Sequence, residues 1–188
     1  EIKSQGLDAL IISGANVSAT DLQLAPFYDQ LKEVVDWSYE NVTSTLCSCL
    51  ATHAVLEFKY GQKRQPIGVK HWGVFPHKVI NRSHPLVKGV NTRFDIPHSR
   101  FNEISEEQFS DAGIRVLAKS KIGVHLAVSP DLFRLVFFQG HPEYDSISLL
   151  KEYKREVAIY LENNGSEYPP IPSNYLSLQS QAILEEYR

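Results

Sequence analysis

The apolar positions of the chain form short continuous runs and amphipathic stretches in alternation. Residues 7–14 are almost all apolar and end in a glycine, which is typical of a buried parallel strand. Apolar residues in 27–40 recur at helical spacing and predict an amphipathic helix. Val42–Ser48 has the composition of a strand, and Leu50–Tyr60 predicts a helix that ends at Gly61. This order of strand, helix, strand and helix predicts a parallel α/β sheet.

The middle of the chain, residues 68–101, shows only short β-like pieces between turn-forming residues, so we expect loops to dominate there. Three further strands follow, and a hairpin turn at Ser129, Pro130 and Asp131 joins the last two. They are predicted at residues 114–118, 124–128 and 132–138.

The last part of the chain is predicted to be helical on both sides of a proline-rich segment. Apolar residues from Ile147 to Leu161 have helical spacing and predict a helix that stops near Gly165. Residues 168–172 contain too many prolines for regular structure, and residues 176–188 favour a short helix.

The composition of the chain excludes several classes of function. The chain has 188 residues, 43% of them apolar, and a formal net charge of −3, which favours one globular domain over residues 1–188. Lysine and arginine form no phosphate-tracking cluster, so nucleic-acid binding is not expected. No apolar run is long enough to span a membrane and no signal peptide is evident, so we expect a cytoplasmic protein. Because the chain has no methionine, we expect it to be part of a longer protein.

The residues suited to chemistry are a cysteine on a turn and a histidine–carboxylate pair. Cys49 lies between the strand that ends near Ser48 and the following helix, where first-turn amides favour a thiolate and an oxyanion. His141 and Glu143 come just after an apolar strand, at the sheet edge where α/β proteins collect their sites. We predict that Cys49 is the nucleophile, His141 its base and Glu143 the orienting carboxylate. Cys47 is predicted to be an unreactive free thiol.

Five segments resemble the homoserine O-acyltransferase (homoserine transsuccinylase) family of methionine biosynthesis. They are 11–15, 42–49, 60–61, 97–101 and 140–145, and the resemblance continues to Tyr175. It implies a flavodoxin-like doubly wound sheet of class I glutamine amidotransferase type. It also implies ping-pong acyl transfer from coenzyme A to homoserine through a cysteine thioester, in a homodimer without a bound cofactor.

Carried over by position, the resemblance makes Cys49, His141 and Glu143 the catalytic residues. Arg100 and Arg155 match the family arginines that hold the amino-acid acceptor, a task for which the guanidinium fork suits a carboxylate. Glu152 is a candidate for binding the acceptor's ammonium group.

Departures from the family pattern lie around the expected acyl site. Leu50 and His53 stand where the family has tryptophan and glutamine, and Asn16 stands where it has proline, so we expect altered walls of the acyl site. Ser18 occupies the position where glycine accompanies succinyl donors and glutamate acetyl donors. Serine at this position does not decide between acetyl- and succinyl-coenzyme A as the donor. It slightly favours acetyl, because its side chain takes up space that a succinyl group would need.

The family's first strand and its last segment have no counterpart in this sequence. An α/β sheet without that strand would expose an unpaired edge, so we expect the chain made alone to be poorly soluble or associated.

Four other functions remain open at this point. Serine could replace homoserine as acceptor, and a glutamine amidotransferase or another cysteine hydrolase would use the same three catalytic residues. A non-catalytic relative would explain the changes at Leu50, His53 and Asn16. Metal binding is not favoured, because the seven histidines lack the spacing of a metal site.

Overall fold

A computed structural model describes residues 6–15, 17, 21–163 and 167–187. Seven strands form one mixed sheet in the order β1-β2-β7-β6-β5-β3-β4. They are β1 (Leu7–Ile12), β2 (Val42–Ser48), β3 (Gln65–Val79), β4 (Arg93–Glu103), β5 (Arg115–Ser120), β6 (Gly123–Val128) and β7 (Leu135–Phe138). The helices are α1 (Tyr28–Asn41), α2 (Leu50–Tyr60), α3 (Glu106–Asp111), α4 (Ser148–Asn163) and α5 (Leu178–Glu186).

The predicted parallel arrangement holds for one part of the sheet. Strands β1, β2 and β7 run parallel, whereas the remaining neighbours pair antiparallel. Strand β2 and helix α2 have the predicted bounds, and α2 ends at Gly61, whose φ of 69° is the left-handed conformation of a helix C-cap. The turn at residues 129–131 joins antiparallel β6 and β7, as predicted.

The expectation of a loop-rich middle was wrong. Residues 65–79 and 93–103 form two long strands that pair with each other over most of their length. Strand β3 contains Pro66 and Pro76, which hide its strand character in the sequence. Both prolines are tolerated because β3 pairs with β5 only at Lys78 and Val79, so its other edge needs few amide donors.

Apolar residues on both faces of the sheet hold these elements together. Along β7, Leu135 and Phe137 pack with α1, α2 and α3, whereas Val136 and Phe138 belong to a second cluster. Because side chains alternate along a strand, these two clusters lie on opposite faces. The core therefore covers both faces of the sheet at β7, next to the turn that carries Cys49.

Strand β1 is one of the two edge strands of the sheet, and β4 is the other. Strand β1 pairs with β2, and Leu7 and Ile11 are 36% and 68% exposed. Poor solubility of the chain made alone stays a prediction.

Candidate active site

Cys49 lies on the tight turn between β2 and α2, as predicted. Its φ of 50° and ψ of −111° are unusual for a residue with a side chain. Two hydrogen bonds stabilise this turn: the Cys49 amide donates to Phe138 O at 2.7 Å, and the Thr52 hydroxyl donates to Cys47 O at 2.8 Å. The turn thus places the thiol at the start of α2, where first-turn amides have no partner within the helix.

His141 is positioned by β4 and by its own loop. Its amide donates to Pro97 O at 2.9 Å, and the preceding Gly140 allows the loop to approach β4 closely. A Cβ on Gly140 would lie 2.6 Å from Ile96 Cγ2 and 2.8 Å from His98 Nε2. Any larger residue at 140 would therefore push the His141 loop away from the sheet.

The three predicted catalytic side chains come together in one hydrogen-bonded series. His141 Nδ1 lies 2.9 Å from Glu143 Oε1. Burial by itself would lower the pKa of His141, but hydrogen bonds to Cys49 and Glu143 outweigh it and raise this pKa to about 9. The imidazole therefore holds a proton at neutral pH between the Cys49 sulfur and the Glu143 carboxylate.

Tyr144 and Glu152 form the next layer of the site. The Tyr144 ring stacks on His141, with ring centroids 4.2 Å apart. Glu152 accepts hydrogen bonds from Tyr144 Oη, from Trp72 Nε1 at 2.9 Å and from Ser99 Oγ at 2.6 Å. These donors fix the position of the Glu152 side chain beside Tyr144, whose ring contacts the imidazole.

These side chains surround a cavity of about 890 Å³. Cys49, His141, Tyr144, Glu152 and Arg155 line it, together with Gly14, whose Cβ position would lie 3.1 Å from Cys49 Cβ. Lys70 also lines the cavity, with its ammonium group 4.0 Å from the centroid of the Trp72 ring, and burial lowers its pKa. The wall of this cavity thus carries acidic and basic groups in addition to the thiol.

Arg100 lies outside this cavity. Alternation along β4 directs Ser99 and Phe101 to the cavity and Arg100 to the other, buried face. There its guanidinium donates to Asn102 O at 2.9 Å and to Ile122 O at 2.7 Å. Of the two arginines predicted to hold the acceptor, Arg155 therefore lines the cavity and Arg100 does not.

The residues that depart from the family pattern lie in different parts of the structure. His53 is buried and its Nε2 lies 3.1 Å from Gln139 Oε1, and Leu50 packs with Leu22 and Ala54. Neither His53 nor Leu50 is among the residues that line the cavity, so these two changes do not alter its wall. Ser18 and Asn16 lie outside the described residues.

Among the described residues, no group of three or more histidine, cysteine, aspartate or glutamate side chains is arranged to hold a metal ion. In the same part of the chain, no helix is long and apolar enough to cross a membrane.

Comparison with known proteins places this geometry in a family. A family model described as homoserine O-succinyltransferase matches residues 1–186. The chain belongs to the homoserine O-succinyltransferase family. A relative from Nitrosococcus oceani named homoserine O-succinyltransferase is 66% identical over 189 residues, covering all of this chain and 53% of the relative. One from Allochromatium vinosum with the same name is 64% identical, again over 53% of its length. The chain thus spans about half the length of the curated relatives it matches.

Solved structures confirm the predicted fold class. A glutamine amidotransferase from Thermotoga maritima matches with a TM-score of 0.58 and 12% identity, covering 95% of this chain and 74% of the other. The glutaminase domain of Trypanosoma brucei CTPS matches with a TM-score of 0.57 and 13% identity, covering 89% and 76%. This chain thus has a fold of the class I glutamine amidotransferase type, and at these low identities the likeness to the solved structures speaks for the fold alone.

Sequence reasoning missed four residues of the site. Lys70, Trp72, Ser99 and Tyr144 all line the cavity. Lys70 and Trp72 lie in β3, which was expected to be loop, and a loop has no alternation that would indicate which side chains share a face. Ser99 and Tyr144 stand in segments that carry the family resemblance, and the alternation of β4 would have favoured Ser99 over its neighbour Arg100.

Proposed function

We propose that this chain forms the acyl-transfer site of a homoserine O-succinyltransferase. Cys49 accepts the succinyl group of succinyl-coenzyme A as a thioester and passes it to the hydroxyl of homoserine. The observation that carries the proposal is the series Cys49, His141 and Glu143 at the wall of a cavity. Membership of the family supports the substrate class, and the relatives' names favour succinyl over the acetyl donor to which Ser18 leans.

In the first half-reaction, Cys49 attacks the thioester carbonyl of the donor. The proton of the Cys49 thiol rests on His141, whose raised pKa favours the imidazolium. A bond forms between Cys49 Sγ and the acyl carbon, and the bond from that carbon to the sulfur of coenzyme A breaks. The departing thiolate takes the proton from His141, while first-turn amides of α2 stabilise the intermediate oxyanion.

The second half-reaction needs a neutral imidazole. Cys49 is among the causes that raise the pKa of His141, and a thioester carries no charge and accepts only weak hydrogen bonds. Acylation therefore lowers the pKa of His141 and makes it a base for the acceptor hydroxyl. The hydroxyl oxygen then bonds to the acyl carbon, its proton moves to His141, and the bond from carbon to Cys49 breaks.

Two charged side chains of the cavity wall, Arg155 and Glu152, hold the acceptor. Arg155 suits the acceptor's carboxylate because its side chain is half exposed and its only described ion pair is with the neighbouring Glu156 at 3.3 Å. Glu152 suits the ammonium group, since its carboxylate is already fixed by neutral donors. The homodimer and the cytoplasmic location stay predictions.

Intact-protein mass spectrometry tests this proposal. Succinyl-coenzyme A should add one succinyl group, and homoserine should then remove it faster than serine does. Acetyl-coenzyme A and glutamine serve as competing donors in parallel samples. An acyl adduct from acetyl-coenzyme A alone, or ammonia release from glutamine without any adduct, would contradict the proposal.

A further inference from the structure

Ser48, the residue before the nucleophile, makes contacts that place it in the same series of side chains. Its hydroxyl lies 3.0 Å from Glu143 Oε1, 2.9 Å from Glu143 Oε2 and 3.3 Å from Gly140 O. Ser48 is only 4% exposed, so this hydroxyl has little access to water. A buried hydroxyl placed between two carboxylate oxygens donates its proton to them.

The strand order explains why this hydroxyl reaches the catalytic loop. Ser48 is the last residue of β2 and pairs with Phe138 of β7, whose chain continues directly into Gly140 and His141. Alternation along β2 sends the Cys47 side chain into the apolar core and the Ser48 side chain to the other face. The same strand end thus supplies a nucleophile to the cavity and a donor to Glu143.

We propose that Ser48 is a positioning residue that holds the Glu143 carboxylate in the orientation in which it binds His141. The catalytic importance of this role rests on the function proposed above, whereas the contact itself does not. Without the hydroxyl, Glu143 can turn towards solvent, because its side chain is 35% exposed.

Among the described residues, few charged groups surround His141, so the contact between Ser48 and Glu143 affects the charge of its imidazole. Cys49 faces the imidazole from the start of α2, Glu143 and Tyr144 face it from its own loop, and His98 and Arg100 lie behind it on β4. The described hydrogen bonds to the Glu143 carboxylate come from Ser48 and His141, and Glu143's own amide adds to them. The Glu143 carboxylate balances the positive charge of the imidazolium. Loss of the Ser48 hydroxyl therefore removes one of the few groups that hold this carboxylate in place.

The test compares three variants, Ser48→Ala, Ser48→Thr and Ser48→Val. Threonine and valine have nearly the same shape, but only threonine keeps a hydroxyl. Ser44→Ala, on the same strand, is the control because the Ser44 hydroxyl donates to Phe133 O, away from Glu143. Removing a hydrogen bond to a charged group should lower kcat for acyl transfer about ten- to a hundredfold in the alanine and valine variants. The KM for the acceptor should not change, and Ser48→Thr and Ser44→Ala should stay close to the parent protein.

A substrate-free measurement separates this proposal from the proposed function. The pKa of His141, followed by NMR of its ring, should fall in Ser48→Ala and Ser48→Val and be restored in Ser48→Thr. An unchanged His141 titration in both hydroxyl-free variants would overturn the role of Ser48. Failure of the parent protein to form an acyl-enzyme would overturn the proposed function and leave the positioning result standing.

Discussion

The backbone of Cys49 is strained. A residue with a side chain at φ 50° and ψ −111° costs about 1–3 kcal/mol relative to a relaxed conformation. The hydrogen bonds from the Cys49 amide and from Thr52 hold the turn in place and offset part of this cost. Strain at a nucleophile is expected where the fold must expose a side chain above the sheet.

This strain predicts a difference between two inactive variants. Cys49→Gly and Cys49→Ala both lose the thiol, but only glycine adopts this conformation without strain. We expect Cys49→Gly to be more stable than Cys49→Ala by about 1 kcal/mol in urea denaturation. Equal stabilities, or a more stable alanine variant, would show that the turn is not strained.

At the scale of elements, the segment around Ser173 is held against β3 by main-chain contacts. Ser173 N donates to Trp72 O at 2.9 Å, and Val74 N donates to Ser173 O at 2.8 Å. Gly73 permits this approach, with a φ of 143° and a Cβ position only 2.2 Å from Ser173 O. Since Ile171 and Ser173 line the cavity, this contact closes one of its walls.

Gly73→Ala should therefore open the cavity without unfolding the sheet. We expect weaker acceptor binding, seen as a higher KM, and faster proteolysis near residues 168–175. Gly68→Ala is the matched control, because Gly68 also has a positive φ, of 71°, but no atom within 4 Å of its Cβ position. Similar KM increases in both variants would point to strain in β3 instead of the clash with Ser173.

The elements that the sequence predicted well are those with local signals. Strand β2, helix α2 and its Gly61 cap follow from composition and spacing, and they are also what positions Cys49. Strands β3 and β4 were missed because their pairing is non-local and prolines interrupt their pattern. The same non-local pairing decides that Ser99 faces the cavity and Arg100 does not, which residue type alone could not reveal.

At the scale of the whole molecule, buried histidines set the dependence of stability on pH. Burial lowers the pKa of His53 and of His125 to about 3, and His98 is also well below its ordinary value. These groups stay neutral in the fold but take up protons when unfolded below about pH 6.5. Their contribution to stability is thus complete above pH 6.5 and is lost as the pH falls towards 3.

The contribution of His141 to stability has the opposite dependence on pH. Its pKa of about 9 means that its stabilising contribution is complete below pH 6.5 and is lost as the pH rises through 9. We therefore expect maximal stability near neutral pH. On the acid side, each buried histidine should reduce the free energy of unfolding by up to about 1.4 kcal/mol per pH unit.

His53→Gln tests this pH dependence of stability, because glutamine can still donate to Gln139 but does not titrate. Urea denaturation between pH 7 and pH 4.5 should show a shallower loss of stability than in the parent protein. An identical slope would mean that His53 does not remain neutral in the fold.

Intact-protein and peptide mass spectrometry after reaction with succinyl-coenzyme A will show which residue carries the acyl group. We expect one succinyl group on Cys49, no adduct in Cys49→Ala, and a normal adduct in Cys47→Ala. Cys47 is fully buried in the core, and its replacement should cost only about 1 kcal/mol of stability. An adduct that survives in Cys49→Ala and disappears in Cys47→Ala would contradict the assignment of the nucleophile and of the site built around it.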